Sequence, residues 1–166
     1  KGLFLMAGSY KGGKRDGINK EYFENGKLRA EWNYKAGKKD GASREFDTER
    51  RVKFEWNYKD DKLEGISKEY SENGKLFTEW MYKGNKREGI SREYYADGKP
   101  RWEWNYKDDK RDGICKEYYE NGKVKQEAEF KYDKQTNKPV WHHDGNTPKI
   151  KDNIQDGPEE ALEFEQ

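Results

Sequence analysis

One spacing governs what this chain can become. A step of 24 residues from Gly17 lands on Gly41, Gly65, Gly89 and Gly113, and the same step carries Glu21 to Glu45, Glu69, Glu93 and Glu117. The 166 residues are thus mostly an array of one small unit, and such arrays are stabilised by each unit stacking on the next. Composition agrees: 42% of the residues are charged and only 30% hydrophobic, too few for a thick two-layer core. Polarity of this degree favours disorder, but 15% of the residues are aromatic and recur on the 24-residue beat, which argues for order.

Within a unit each half alternates with period two. Leu28, Ala30, Trp32 and Tyr34 share one side of a stretch whose other side is Arg29, Glu31 and Asn33; Val52, Phe54, Trp56 and Tyr58 repeat it, as do Pro100, Trp102, Trp104 and Tyr106. That is the pattern of a strand with one apolar face. The shorter half, Gly17 to Phe23, alternates too, and Glu24-Asn25-Gly26 between them is a hairpin signal, the glycine supplying a positive φ. Each unit reads as a β-hairpin. A three-residue loop sets Tyr22 opposite Leu28, Ile18 opposite Trp32 and Glu21 opposite Arg29, with Glu45–Lys53, Glu93–Arg101 and Glu117–Lys125 alike and only Glu69, facing Phe77, without a basic partner. A two-residue turn instead pairs Lys20 with Glu31 and its equivalents, so charge matching does not choose. Keeping Ile18 and Tyr22 on the tryptophan side favours the longer loop, because a one-residue slip exchanges every face.

Units join through a second turn, Lys35 to Asp40 and its equivalents, and no helix-period segment intervenes. The expected fold is all-β: an elongated, single-layer antiparallel meander of 24-residue hairpin repeats. The array is expected over residues 1–136, with Lys1 to Asp16 an incomplete unit and the turn of the second unit altered to Asp47-Thr48-Glu49-Arg50. Residues 137–166 read as a degenerate repeat or cap, with His142 in a tyrosine slot and Asp144-Gly145 near the expected turn, then an acidic tail from Asp156 that reads as a flexible end or a short docking helix.

For chemistry the sequence offers little. His142 and His143 are adjacent, so on a strand they point to opposite faces and do not share a metal. Asp60-Asp61 and Asp108-Asp109 lack the glycine and distal glutamate of an EF-hand loop and read as solvated turn residues. Cys115, the sole cysteine, sits where other units have Asn19, Ser43, Ser67 and Ser91, a small residue in a serine slot. No catalytic residue, metal site or cofactor is expected. Lys plus Arg (35) balance Asp plus Glu (34) in alternation, without the concentrated basic surface of a nucleic-acid binder. The compartment, cytoplasmic or secreted and cell-surface, stays open.

The run Asp-Gly-Ile-Cys-Lys-Glu-Tyr-Tyr-Glu-Asn-Gly-Lys-Val at Asp112 to Val124, preceded by Tyr106-Lys107-Asp108-Asp109-Lys110-Arg111, closely resembles the variant class of MORN repeats found mostly in bacterial proteins. The resemblance runs from about Tyr10 to Phe130. It departs at the turn Asp47 to Arg50, at Ala128 in place of the recurrent tryptophan and after Lys131. It implies a non-enzymatic binding or scaffold module; many bacterial relatives are labelled antitoxins, and others are secreted or surface proteins.

The aromatic rows are the one feature that points to binding. Tyr22, Tyr70, Tyr94 and Tyr118 with Trp32, Trp56, Trp80 and Trp104 are expected along one face, with Lys20, Arg44, Lys68, Arg92 and Lys116 among them for cation–π contacts. The leading expectation is a protein partner held on this aromatic and basic face, a toxin-like protein included. The alternatives are an anionic membrane surface or a glycan.

Overall fold

The computed structural model describes residues 5–143, and every regular element there is a β-strand. Strands β1 (Leu5–Lys11) and β2 (Lys14–Tyr22) open the sheet. One pattern then recurs. The long strands are β3 (Leu28–Lys35), β6 (Val52–Lys59), β9 (Leu76–Lys83), β12 (Pro100–Lys107) and β15 (Val124–Lys131). Each leads into a two-residue strand: β4 (Lys38–Lys39), β7 (Lys62–Leu63), β10 (Lys86–Arg87), β13 (Lys110–Arg111) or β16 (Lys134–Gln135). The first four of these are followed by β5 (Gly41–Phe46), β8 (Gly65–Tyr70), β11 (Gly89–Tyr94) and β14 (Gly113–Tyr118), and β17 (Val140–Trp141) follows the last.

All 17 described strands form one open antiparallel sheet, in which each long strand pairs with the two-residue strand after it and, past that, with the strand that follows. This is the expected single-layer hairpin meander. With no second layer among the described residues the core is thin: the buried hydrophobic residues there are Ala30, Cys115, Ala128 and Phe130. Gly2 and Phe4 of the incomplete unit, the Asp144-Gly145 turn and the acidic tail lie outside the described residues.

At the hairpin turn the three-residue loop is present. Gly26, at φ 76°, donates its N–H to Phe23 O (2.9 Å), Phe23 donates to Lys27 O (2.8 Å), and Tyr22 stands opposite Leu28. One step further the expected pairing fails. Arg29 bulges out of the ladder, Glu21 faces Ala30, and from there Lys20 faces Glu31, Asn19 faces Trp32 and Ile18 faces Asn33. The four later hairpins carry the same bulge, at Lys53, Phe77, Arg101 and Lys125. A single extra residue on one strand moves every later partner to the opposite face. Ile18 therefore does not pack against Trp32. The bulge also lets the basic residue reach its predicted acid: Arg29 lies 3.1 Å from Glu21, Arg101 2.9 Å from Glu93 and Lys125 2.8 Å from Glu117.

The unit-opening glycines solve a different problem. Tyr34 pairs with Lys39 but Ala30 with Glu45, so the incoming chain carries two more residues than its partner over that stretch, and Gly41 takes up the swerve at φ 101°. Between units the tips are two-residue turns with positive φ at both positions, as at Asp60 (48°) and Asp61 (68°), the geometry whose twist matches that of paired strands. Asp61 and Asp109 are not merely solvated, as the sequence suggested. Asp61 Oδ1 accepts the Lys39 N–H (2.8 Å) and the Asp61 N–H donates to Lys39 O (2.9 Å); Asp109 holds Arg87 in the same way, at 2.8 and 3.0 Å. At Asp61, Asn85, Asp109 and Asp133 the side chain at a turn tip thus stitches one unit to the one before it, whereas Gly37 makes only the backbone bond, to Arg15 O (2.8 Å).

Candidate interaction faces

The bulge divides the aromatic rows between two faces. On one, Trp32 and Trp56 stack at 5.5 Å, and Trp80 and Trp104 at 5.9 Å, with Phe54 and Trp102 extending each pair at 5.3 and 6.0 Å. Beneath these indoles runs the row Asn19, Ser43, Ser67, Ser91 and Cys115, each at most 4% exposed. Trp56 stands opposite Ser43 and Trp104 opposite Ser91, so a small side chain lets the rings lie over it. Cys115 fills this slot as the sequence suggested, and burial pushes its thiol above the ordinary range.

The cations over the rings of this face come from the strands that leave the connecting turns. Arg15 lies 5.1 Å from the Tyr34 ring, Lys39 3.6 Å from Trp32, Arg87 4.2 Å from Tyr106 and Arg111 4.5 Å from Phe130. Burial against the indole pulls the Lys39 ammonium below its usual range. Glu21 joins the same face, accepting from Trp32 Nε1 at 3.0 Å.

The other face carries a row of ten charges of alternating sign, one on each strand from β2 to β15 except the two-residue strands: Lys20, Glu31, Arg44, Glu55, Lys68, Glu79, Arg92, Glu103, Lys116 and Glu127. Within hairpins they form ion pairs of 3.3, 2.8, 3.5, 2.9 and 3.5 Å. Tyr70 donates its hydroxyl to Glu55 (2.9 Å) and Tyr94 donates to Glu79 (2.6 Å); burial, then these carboxylates, push both phenols up to about 12. His142 takes the tyrosine slot at the end of the row, its Nε2 3.7 Å from Glu127. Beside the row stand Ile18, Ile66, Ile90 and Ile114, each 41% exposed or more.

The ten predicted contact residues are therefore not one patch. Trp32, Trp56, Trp80 and Trp104 lie on the first face, half-buried; Tyr22, Tyr70, Tyr94, Tyr118, Lys68 and Arg92 lie on the second, also half-buried. Lys68 and Arg92 pair with glutamates there and not with indoles. The sequence reasoning missed the role of Arg15, Lys39, Arg87 and Arg111, whose signal was their own 24-residue spacing. The alternating row is the pairing that a two-residue turn predicts, Lys20 with Glu31 and its equivalents. Among the described residues no group of three or more His, Cys, Asp or Glu is placed to hold a metal ion.

Against solved structures the chain is 13% identical to a protein from a GtfA/B complex bound to UDP and GlcNAc, over 74% of this chain and 23% of that one, with a TM-score of 0.34. It is likewise 13% identical to a mutant of S. aureus TarM in complex with Fondaparinux, alpha-GlcNAc-glycerol and UDP, over 80% of this chain and 20% of that one, at a TM-score of 0.35. This chain thus spans about a fifth of those proteins' length, and a likeness this low carries no weight for fold or function. No curated protein matches the chain. The model of the MORN repeat variant matches residues 15–36, 63–83, 87–108 and 111–132, passing over the unit whose turn is Asp47 to Arg50. MORN repeats are in general non-catalytic modules for binding and scaffolding. With just over half of its residues matched, in four successive stretches, this chain belongs to the MORN repeat variant family.

Proposed function

We propose that the chain is a non-catalytic scaffold that holds a protein partner against its tryptophan face. The observation that carries this is a row of half-buried indoles, stacked in pairs and rimmed by cations, with no second layer over it among the described residues. Tryptophan and arginine are the residues most often found to dominate binding energy at protein interfaces. A rigid sheet that pre-stacks its indoles also loses little side-chain entropy on association. The family resemblance makes a toxin-like protein one candidate partner.

The test is capture of the native partner by the purified chain and by W80A and W104A, with circular dichroism confirming the sheet. Loss of a central indole is expected to weaken capture by about tenfold or more. Undiminished capture by folded W80A and W104A overturns the reading. The row of Arg15, Lys39, Arg87 and Arg111 favours one competitor, an anionic membrane surface. Flotation with anionic vesicles that falls steeply with salt, in the absence of any captured protein, would transfer the function to that class.

A further inference from the structure

The charged face has a symmetry that the tryptophan face lacks. Its row contains ten charges, strictly alternating, beginning with the cation Lys20 and ending with the anion Glu127. An even, alternating row reversed end for end presents the opposite sign at every place. We propose that this face is a two-fold interface between two copies of this chain, apart from whatever the tryptophan face holds.

A two-fold axis running along the strands between β8 and β9 lays the row of one copy over the reversed row of the other. Lys68 of one copy then meets Glu79 of the other, Glu55 meets Arg92 one step out, and Lys20 meets Glu127 at the ends. Self-complementarity under a two-fold is what an isologous interface requires. Each charge already has an opposite neighbour in its own chain, so association adds a second one and does not bury a lone ion; only the added desolvation has to be offset.

Apolar residues supply that offset: Ile18, Ile66, Ile90 and Ile114 stand along the row, and beside the axis Met81 adds to them. Asn57 donates its side-chain amide to Ile66 O (3.1 Å), and Asn33 and Asn105 do the same for Ala42 O and Ile114 O. In the central unit the equivalent residue is Met81, which has no donor for Ile90 O. A depression of about 430 Å³ opens there, lined by Ile66, Met81, Ile90, Glu79, Glu88 and Arg92. Under the proposed two-fold, Ile66 of one copy lies over Met81 of the other. The one unit that exchanges an asparagine for a flexible apolar side chain is the unit the axis crosses.

The size is that of a modest dimer. Ten strands about 4.8 Å apart and four residues of strand give a strip roughly 43 by 14 Å, about 600 Å² before its rim, somewhat below the roughly 800 Å² per partner of a standard interface. Facing sheets pack with their strands about 30° apart, so pairs far from the axis drift out of register and the central charges carry the specificity.

Sedimentation velocity on the whole chain, at concentrations up to roughly 0.1 mM and in about 0.05 M and about 0.5 M salt, tests this. A dimer is expected at low salt and weaker association at high salt. K68E, which places Glu against Glu79 of the other copy, and M81N, which restores the repeat's asparagine and its bond to Ile90 O, are each expected to weaken the dimer by about tenfold. The double variant K68E/E79K, which exchanges the two facing charges but sets them beside Glu55 and Arg92 of their own chain, is expected to recover association only in part. A monomer throughout the range overturns the proposal, and so does a dimer indifferent to both K68E and M81N.

Discussion

Ser91 and Cys115 show how much a residue's role depends on what lies across the strand from it. The 24-residue alignment identifies their slot as small, but only the pairing places Trp104 over Ser91 and Ala128 beside Cys115. Where the tryptophan becomes Ala128, Cys115 packs with Phe130 and Trp104, and the hydrophobic cluster of the array forms there. Tyr70 and Tyr94 carry a pH dependence. Their folded-state values of about 12 lie above the ordinary 10.0, so the stability they contribute is full below pH about 10 and is lost as pH rises through about 12. Replacing both with phenylalanine is expected to remove two phenols from the late-titrating class in an absorbance titration. Denaturation curves of that variant should lose less stability across the same alkaline window than the parent.

At the scale of the hairpin, the altered second turn is the informative case. Asp47 to Arg50 lacks the glycine of its equivalents, yet Arg50 still donates to Asp47 O (3.0 Å) and Asp47 to Arg51 O (2.9 Å), the bonds made at Gly26. Asp47 Oδ1 accepts from the backbone of Glu49 (2.8 Å) and Arg51 (2.9 Å), and its second oxygen holds the Arg51 guanidinium at 2.7 Å. These bonds hold Arg50 at φ 66°, a conformation in which a Cβ is crowded. Relief of that crowding exceeds glycine's entropy cost at such a position, so R50G is expected to stabilise the protein by about 0.5–1 kcal/mol, read from the denaturation midpoint. The loop itself was legible because Glu24-Asn25-Gly26 is a local signal. The bulge at Arg29 was not: its composition varies from Arg29 to Phe77 to Arg101, and it exists to reconcile a loop with a charge row on the facing strand.

At the scale of the whole array, the described units pair and bond with the units next to them along the chain, so stability is expected to behave as a sum over units and the interfaces between them. Removing residues 65–88 joins Glu64 to Gly89 in the phase of the repeat. The shortened chain is expected to keep a β-sheet circular dichroism spectrum and to unfold with a smaller denaturant slope, in proportion to the surface no longer buried. A chain that instead collapses to a disordered spectrum would show that the units are not interchangeable.

The hairpins, their turns, the meander and the small-residue slot follow from the sequence, because each rests on contacts a few residues apart or on comparison of one unit with the next. The tertiary structure decided which residues share a face and which acids bind the unit before them. Asp61 reaches back to Lys39, 22 residues away, through backbone that only the stacked sheet brings near. The division of tyrosines from tryptophans turns on one unpaired residue per hairpin. Alternation along a strand fixes which side chains lie together within that strand, but the parity between strands is set by a bulge that no pattern within either strand records.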